Sequence, residues 1–279
     1  MSPRGSSERL AFLRREIARI ESAGETGWRA PVSAGVQGSS GNAAFPSDMP
    51  AFLTAGRFAG GLHEIVPATA ADAQAALALA LHLAIACARE KPSGGLALVI
   101  EDFVALETGA PYGPGLVEAG VDPDRLVIVR TQDARETLRV MEEALKCAGV
   151  AAVLAETSIS HRLYTLDASR RLVLAARAGG GAGLMVPLAL AGAAARLSSA
   201  ANGRIEAMRR SARPEPVGEN LFGLPGPPLI GARLVKARGL SGFDPERVHE
   251  VAFHAFSVGS SPLPRHGPDQ AAAGFARSA

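Results

Sequence analysis

Cysteine is nearly absent. Two residues in 279, Cys87 and Cys147, allow no disulfide framework and no cysteine-spaced metal site. Both lie in apolar, helix-patterned stretches, which predicts buried free thiols and fits a reducing compartment. Lysine is also scarce, at Lys91, Lys146 and Lys236 only. Net charge is +2, too small an excess to announce nucleic-acid binding by itself. Long hydrophobic runs are missing with one exception, residues 73–88. That run is about 16 residues, short of the ~20 a spanning helix needs, and His82 sits in its middle. It reads as a buried core helix. The charged N-terminus lacks a signal-peptide core, so a cytoplasmic protein without a membrane partner is expected. The six histidines are scattered. His249 and His254 are five apart on a predicted strand, point to opposite faces and cannot share a metal. No metal site, nucleophile–base pair or resident cofactor is expected.

What is present is a globular balance of 47% hydrophobic and 20% charged residues, with ends richer in Gly, Ser and Pro than the middle. Residues 1–22 predict an amphipathic helix. Ser6 and Ser7 can cap it, and Leu10, Leu13, Ile17 and Ile20 share one face. Residues 23–55 read as a flexible linker. The helix must bury its stripe either in the protein's own core or on a partner.

From residue 56 to 258 the pattern is regular. Strands are predicted at 62–66, 96–101, 125–130, 150–156 and 183–188, and helices at 70–90, 134–147 and 166–178. Strands written as unbroken apolar runs and alternating with helices predict a doubly wound, mostly parallel α/β sheet with helices on both faces. Residues 204–210 alternate. Strands at 229–238 and 248–258 are expected to extend the sheet antiparallel. The tail from 259 to 279 has no periodicity and reads as disordered.

In such a sheet the ligand site is the loop after the first core strand, at the next helix N-terminus. A phosphate-binding loop needs glycines for close backbone approach, a Lys for phosphate charge and a Ser/Thr for Mg²⁺. Here the loop holds Pro67, Thr69, Asp72, Ala73 and Gln74, without Gly or Lys. The Asp72 carboxylate would repel phosphate at a position where it can also serve as a helix cap. This loop argues against ATPase activity.

Downstream, residues 196–240 carry eight Arg/Lys against three acids. Arg204, Arg209, Arg210, Arg213, Arg233, Lys236 and Arg238 are therefore candidate phosphate contacts, or else a solvated strand face. Phe222 is the only aromatic among them, so base stacking is not expected.

The run Gly60-Gly61-Leu62-His63-Glu64-Ile65, followed by this loop and a long Ala/Leu helix, resembles the entry to the RecA ATPase core. The resemblance puts Ala73 at the phosphate Lys, Gln74 and Ala75 at the hydroxyl residues, and Glu156 at a vestigial Walker B acid. Glu101 and Asp102 fall near the catalytic Glu. Three segments, Pro111-Tyr112-Gly113-Pro114-Gly115-Leu116, Asp122-Pro123-Asp124-Arg125-Leu126 and Leu166-Asp167-Ala168-Ser169-Arg170-Arg171-Leu172, resemble the ImuA family of inducible-mutagenesis accessory proteins. Leu13-Arg14-Arg15-Glu16-Ile17 and Pro31-Val32-Ser33-Ala34-Gly35 are similar to its alphaproteobacterial form. The likeness covers roughly residues 8–256. It implies a RecA-like, non-catalytic protein of damage-induced (SOS) mutagenesis and translesion synthesis. Its implied partners are an ImuB-like inactive Y-family polymerase relative, an error-prone C-family polymerase indirectly, RecA and DNA. Tyr112, on a rigid Pro/Gly turn, is either a partner contact or a plain helix-entry turn. Two other classes remain open: an ATPase with relocated phosphate ligands, and a scaffold regulating RecA or cell division.

Overall fold

The computed structural model describes residues 51–212, 228–239 and 243–252. The amphipathic segment, most of the linker, Arg213, Phe222 and the tail lie outside them.

An eight-stranded sheet forms the centre. Its strands are β1 (Leu62–Pro67), β2 (Gly95–Glu101), β3 (Leu126–Thr131), β4 (Val150–Thr157), β5 (Ala182–Pro187), β6 (Gly203–Arg210), β7 (Leu229–Ala237) and β8 (Val248–Ala252). The order is β3-β2-β4-β5-β1-β6-β7-β8. All pairings among β1–β6 are parallel, and β7 and β8 close the sheet antiparallel. The antiparallel extension thus begins after β6, which itself pairs parallel with β1. The described part of the last strand ends at Ala252.

Among the described residues five α-helices connect the strands: α1 (Ala73–Glu90), α2 (Asp102–Thr108), α3 (Gly113–Glu118), α4 (Ala134–Lys146) and α5 (Leu166–Gly179). Alternation along each strand divides two cores. Leu98, Ile100 and Leu154 face α1 and α3. Ala97, Val99, Val153 and Ala155 face α4 and α5. β1 and β5 are buried along their whole length, β5 without a polar side chain and β1 around His63 and Glu64. The sheet with helices on both faces is the architecture the sequence pattern predicts.

The stretch Ala70–Glu90 is long and apolar enough to cross a membrane by length and composition, but more than half of its most apolar window is buried inside the fold. Leu79, Ala80, Leu83 and Ala84 of α1 pack on the sheet. Cys87 is buried with them, and its thiol is pushed up to about 12, first by burial and then by Glu90. Cys147 departs from expectation. It is exposed at the end of α4, because the helix stops there and the chain turns outward before β4.

Candidate functional site

The carboxyl ends of the parallel strands bring the predicted loop and the predicted acids to one edge of the sheet. There the loop after β1 is closed by its own side chain. Asp72 accepts hydrogen bonds from the Thr69 amide (3.0 Å) and hydroxyl (2.6 Å), and from the Arg209 amide (2.9 Å) on β6. Its carboxylate therefore turns back over the loop and makes no capping bond to the amides of α1. Burial pushes the Asp72 carboxyl up, but these donors and the Arg209 guanidinium together hold it below its ordinary value. The loop thus carries a negative carboxylate folded over its own backbone and contains no glycine. Pro67 is buried at the end of β1, and Ala73 opens α1. Gln74 donates to the Thr108 carbonyl (3.2 Å), tying α1 to the end of α2.

Two acids end neighbouring strands and meet opposite conditions. Glu101, at the end of β2, is buried and fully engaged. It accepts from the Thr157 hydroxyl (2.7 Å) and from the amide (2.8 Å) and hydroxyl of Ser158. It staples β2 to β4. The neighbouring Asp102 is surface-exposed and pairs with Arg130 at 2.7 Å. Glu156 has no hydrogen-bond or ion-pair partner among the described residues, and burial raises its carboxyl to about 7. It faces a cleft of about 290 Å³ with Gln74, Leu77, Leu81 and Thr108, and Tyr112 stands at the same cleft. Tyr112 precedes α3 and is 72% exposed, as a presented turn residue should be. Phe103, Leu106 and Val117 on the same two short helices are exposed as well.

The basic segment does not form the surface its composition suggested. Arg204 is 3% exposed and is corrected out of the phosphate-contact set. Its guanidinium donates to Glu64 (2.6 Å), to the Ala194 carbonyl (2.8 Å) and to the Ser199 hydroxyl (2.9 Å). Tyr164 donates to the other Glu64 oxygen at 2.6 Å, and burial and the Glu64 charge together raise the Tyr164 hydroxyl well above its ordinary value. Arg233 is held by Glu206 (2.6 Å) and Glu246 (3.2 Å). Lys236 donates to the Ser199 carbonyl (2.7 Å). Burial lowers its ammonium, with the Glu64 charge acting against that and Arg204 and Arg238 reinforcing it. Arg209 lies 3.8 Å from Asp72, and Arg210 and Arg238 are exposed with no charged partner among the described residues. The buried Glu64–Tyr164–Arg204 network was missed by sequence reasoning. Its one signal is Glu64 inside β1, since Arg204 sits in a strand that also carries Glu206, Arg209 and Arg210.

Among the described residues no group of three or more His, Cys, Asp or Glu side chains is placed to hold a metal ion. No family model matches the chain. Over 75 residues it is 41% identical to Protein ImuA from two strains of Caulobacter vibrioides. The matched stretch is 27% of this chain and only 29% of the length of those relatives. A crystal structure of SulA from Pseudomonas aeruginosa aligns with 44% of this chain and 93% of that one, at 18% identity and a TM-score of 0.34.

Proposed function

We propose that this chain is a RecA-like accessory protein of damage-induced mutagenesis, acting by binding partners and not by hydrolysing nucleotide. The observation that carries the reading is Asp72 closing its own loop, with three donors spent on it where a nucleotide phosphate would sit. The 75-residue likeness to Protein ImuA and the ordered motifs around Tyr112 and Arg170 support the pathway. The reading takes an ImuB-like polymerase relative as the direct partner, with the error-prone polymerase reached through it, and RecA as a further candidate. The exposed Tyr112 at the cleft beside Glu156, with Phe103, Leu106 and Val117 exposed on the neighbouring short helices, supports a docking role. Leu10, Leu13, Ile17 and Ile20 are proposed as a second partner stripe and lie outside the described residues. A cytoplasmic location follows from the proposed partners.

The test is damage-induced mutation frequency in a strain lacking the gene, with and without complementation. A large drop restored by the intact gene is expected. An unchanged frequency removes the pathway. Leu13→Asp with Ile17→Asp is expected to abolish capture of the ImuB-like protein, and unaltered capture returns that stripe to core packing.

A further inference from the structure

Further cations without an acid partner among the described residues lie away from the C-terminal segment, on the face formed by α4 and α5. On these two helices six cations stand against four acids, and each acid is already engaged. Glu136 accepts from the Gln132 amide at 2.8 Å. Glu143 pairs with Lys146 at 2.8 Å, and Asp167 with Arg170 at 3.5 Å. Glu142 lies between Arg171 at 2.5 Å and Lys146 at 3.0 Å. Arg135 and Arg139 are exposed and have no acid partner among the described residues. Together with Glu142 and Arg171 they border a groove of about 160 Å³ whose floor includes Leu138 and Leu172.

The spacing gives the groove a direction. Arg135, Arg139, Glu142 and Lys146 follow one another at four, three and four residues, which keeps them on one helical stripe. That stripe runs about 16 Å at the helical rise of ~1.5 Å per residue. Arg171 reaches in from α5 and neutralises the single acid in the line. Arg135 and Arg139 stand one turn apart on this stripe, about 6 Å along the helix, with Arg171 beside them from α5. Guanidinium groups side by side suit a chain of anions better than one ion, and the planar fork matches phosphate oxygens.

We infer that the α4–α5 groove binds the phosphodiester backbone of a nucleic acid through Arg135 and Arg139, with Arg171 neutralising Glu142 beside them. No aromatic side chain borders the groove, so bases are not stacked there and binding is independent of sequence. The choice of nucleic acid over an acidic protein segment rests on the accessory reading above, whereas the unpaired cations do not.

The experiment is fluorescence anisotropy of the full chain with a labelled mixed-sequence oligodeoxynucleotide, titrated across salt. For the pair Arg135→Ala and Arg139→Ala, affinity is expected to fall roughly tenfold, and the slope of log K against log salt by about 2, one per lost phosphate contact. Both positions are on the surface, so the melting temperature should hold, and the Lys pair at the same positions should keep most of the slope. Unchanged affinity and slope in the Ala pair overturn the proposal. So does a wild-type chain that binds no oligonucleotide at low salt, or one that binds polyglutamate as tightly. These outcomes leave the accessory reading standing. An unchanged mutation frequency in the deleted strain defeats that reading and leaves the oligonucleotide measurement intact.

Discussion

Glu156 and Glu101 show how one residue type at two strand ends is given opposite properties. Glu101 has its donors, so its burial is compensated, whereas Glu156 has none and its carboxyl rises from 4.5 to about 7. A raised carboxyl costs stability only where it must ionise in the fold. The native state then holds more protons than the unfolded chain between pH 4.5 and about 7, so stability falls as pH rises through that window. Glu156→Gln removes the penalty. The variant should match wild type at pH 4 and exceed it at pH 8 by up to roughly 3 kcal/mol, because a tenfold change in proton affinity corresponds to about 1.4 kcal/mol. Urea unfolding at both pH values measures this, and an equal gain at both would show that ionisation is not the cause. Glu64 supplies the contrasting case. Replacing it with Ala strands the buried Arg204 charge and leaves Tyr164 without its acceptor. A loss of about 3–5 kcal/mol is expected from breaking one side of a buried pair. Glu64→Ala combined with Arg204→Met should recover much of it, and a double variant no better than the single would refute the pairing account.

At the scale of elements, close approach sets the layering. A Cβ on Gly179 would collide with the Leu145 carbonyl oxygen, so α5 reaches its end against α4 only because that position lacks a side chain. Gly180 follows with φ +72° as the left-handed cap. Gly179→Ala should therefore destabilise by about 1–3 kcal/mol, the usual scale of overpacking, despite its higher helix propensity. A thermal melt showing stabilisation would mean the helices separate freely. The same elements show what was legible. Apolar runs were legible as strands whether buried on both faces or, as in β3 at the sheet edge, largely exposed, and β1–β5, α1, α4 and α5 fall within a residue or two of expectation for most of their ends. The short α2 and α3 carry no period long enough to read. The pairing of β6 was also hidden. Whether it runs parallel to β1 depends on how the stretch between β5 and β6 crosses the sheet, and its charges at Arg204 and Glu206 find partners 140 and 27 residues away. Arg204 is the member of the C-terminal cation set that the strand pattern misplaces on the surface, whereas Arg209, Arg210 and Arg238 are exposed.

For the whole molecule, the candidate site was legible as a deficiency and not as a geometry. The missing Gly and Lys were visible in the sequence; that Asp72 would reach Thr69 and the Arg209 amide was not, because the second contact spans 137 residues. The closed loop makes a thermodynamic claim about the entire chain. A ligand that binds only the folded state raises stability by RT ln(1 + [L]/Kd), so a site with Kd tenfold below the ligand concentration adds about 1.4 kcal/mol. To admit a phosphate, this loop must first release the Asp72 carboxylate from three hydrogen bonds and then accept two like charges at close range. Mg²⁺-ATP near its physiological millimolar level should therefore leave the melting temperature unchanged. Asp72→Ala is the informative companion, because it removes the negative plug while keeping the backbone. It should lower stability by about 1–2 kcal/mol through the hydrogen bonds lost from Thr69 and the Arg209 amide and still show no shift with ATP, because no Lys or glycine-lined cradle is uncovered. An ATP-dependent shift in wild type would revive the relocated-ligand ATPase. A shift confined to Asp72→Ala would mean that the carboxylate alone stands between this fold and a nucleotide.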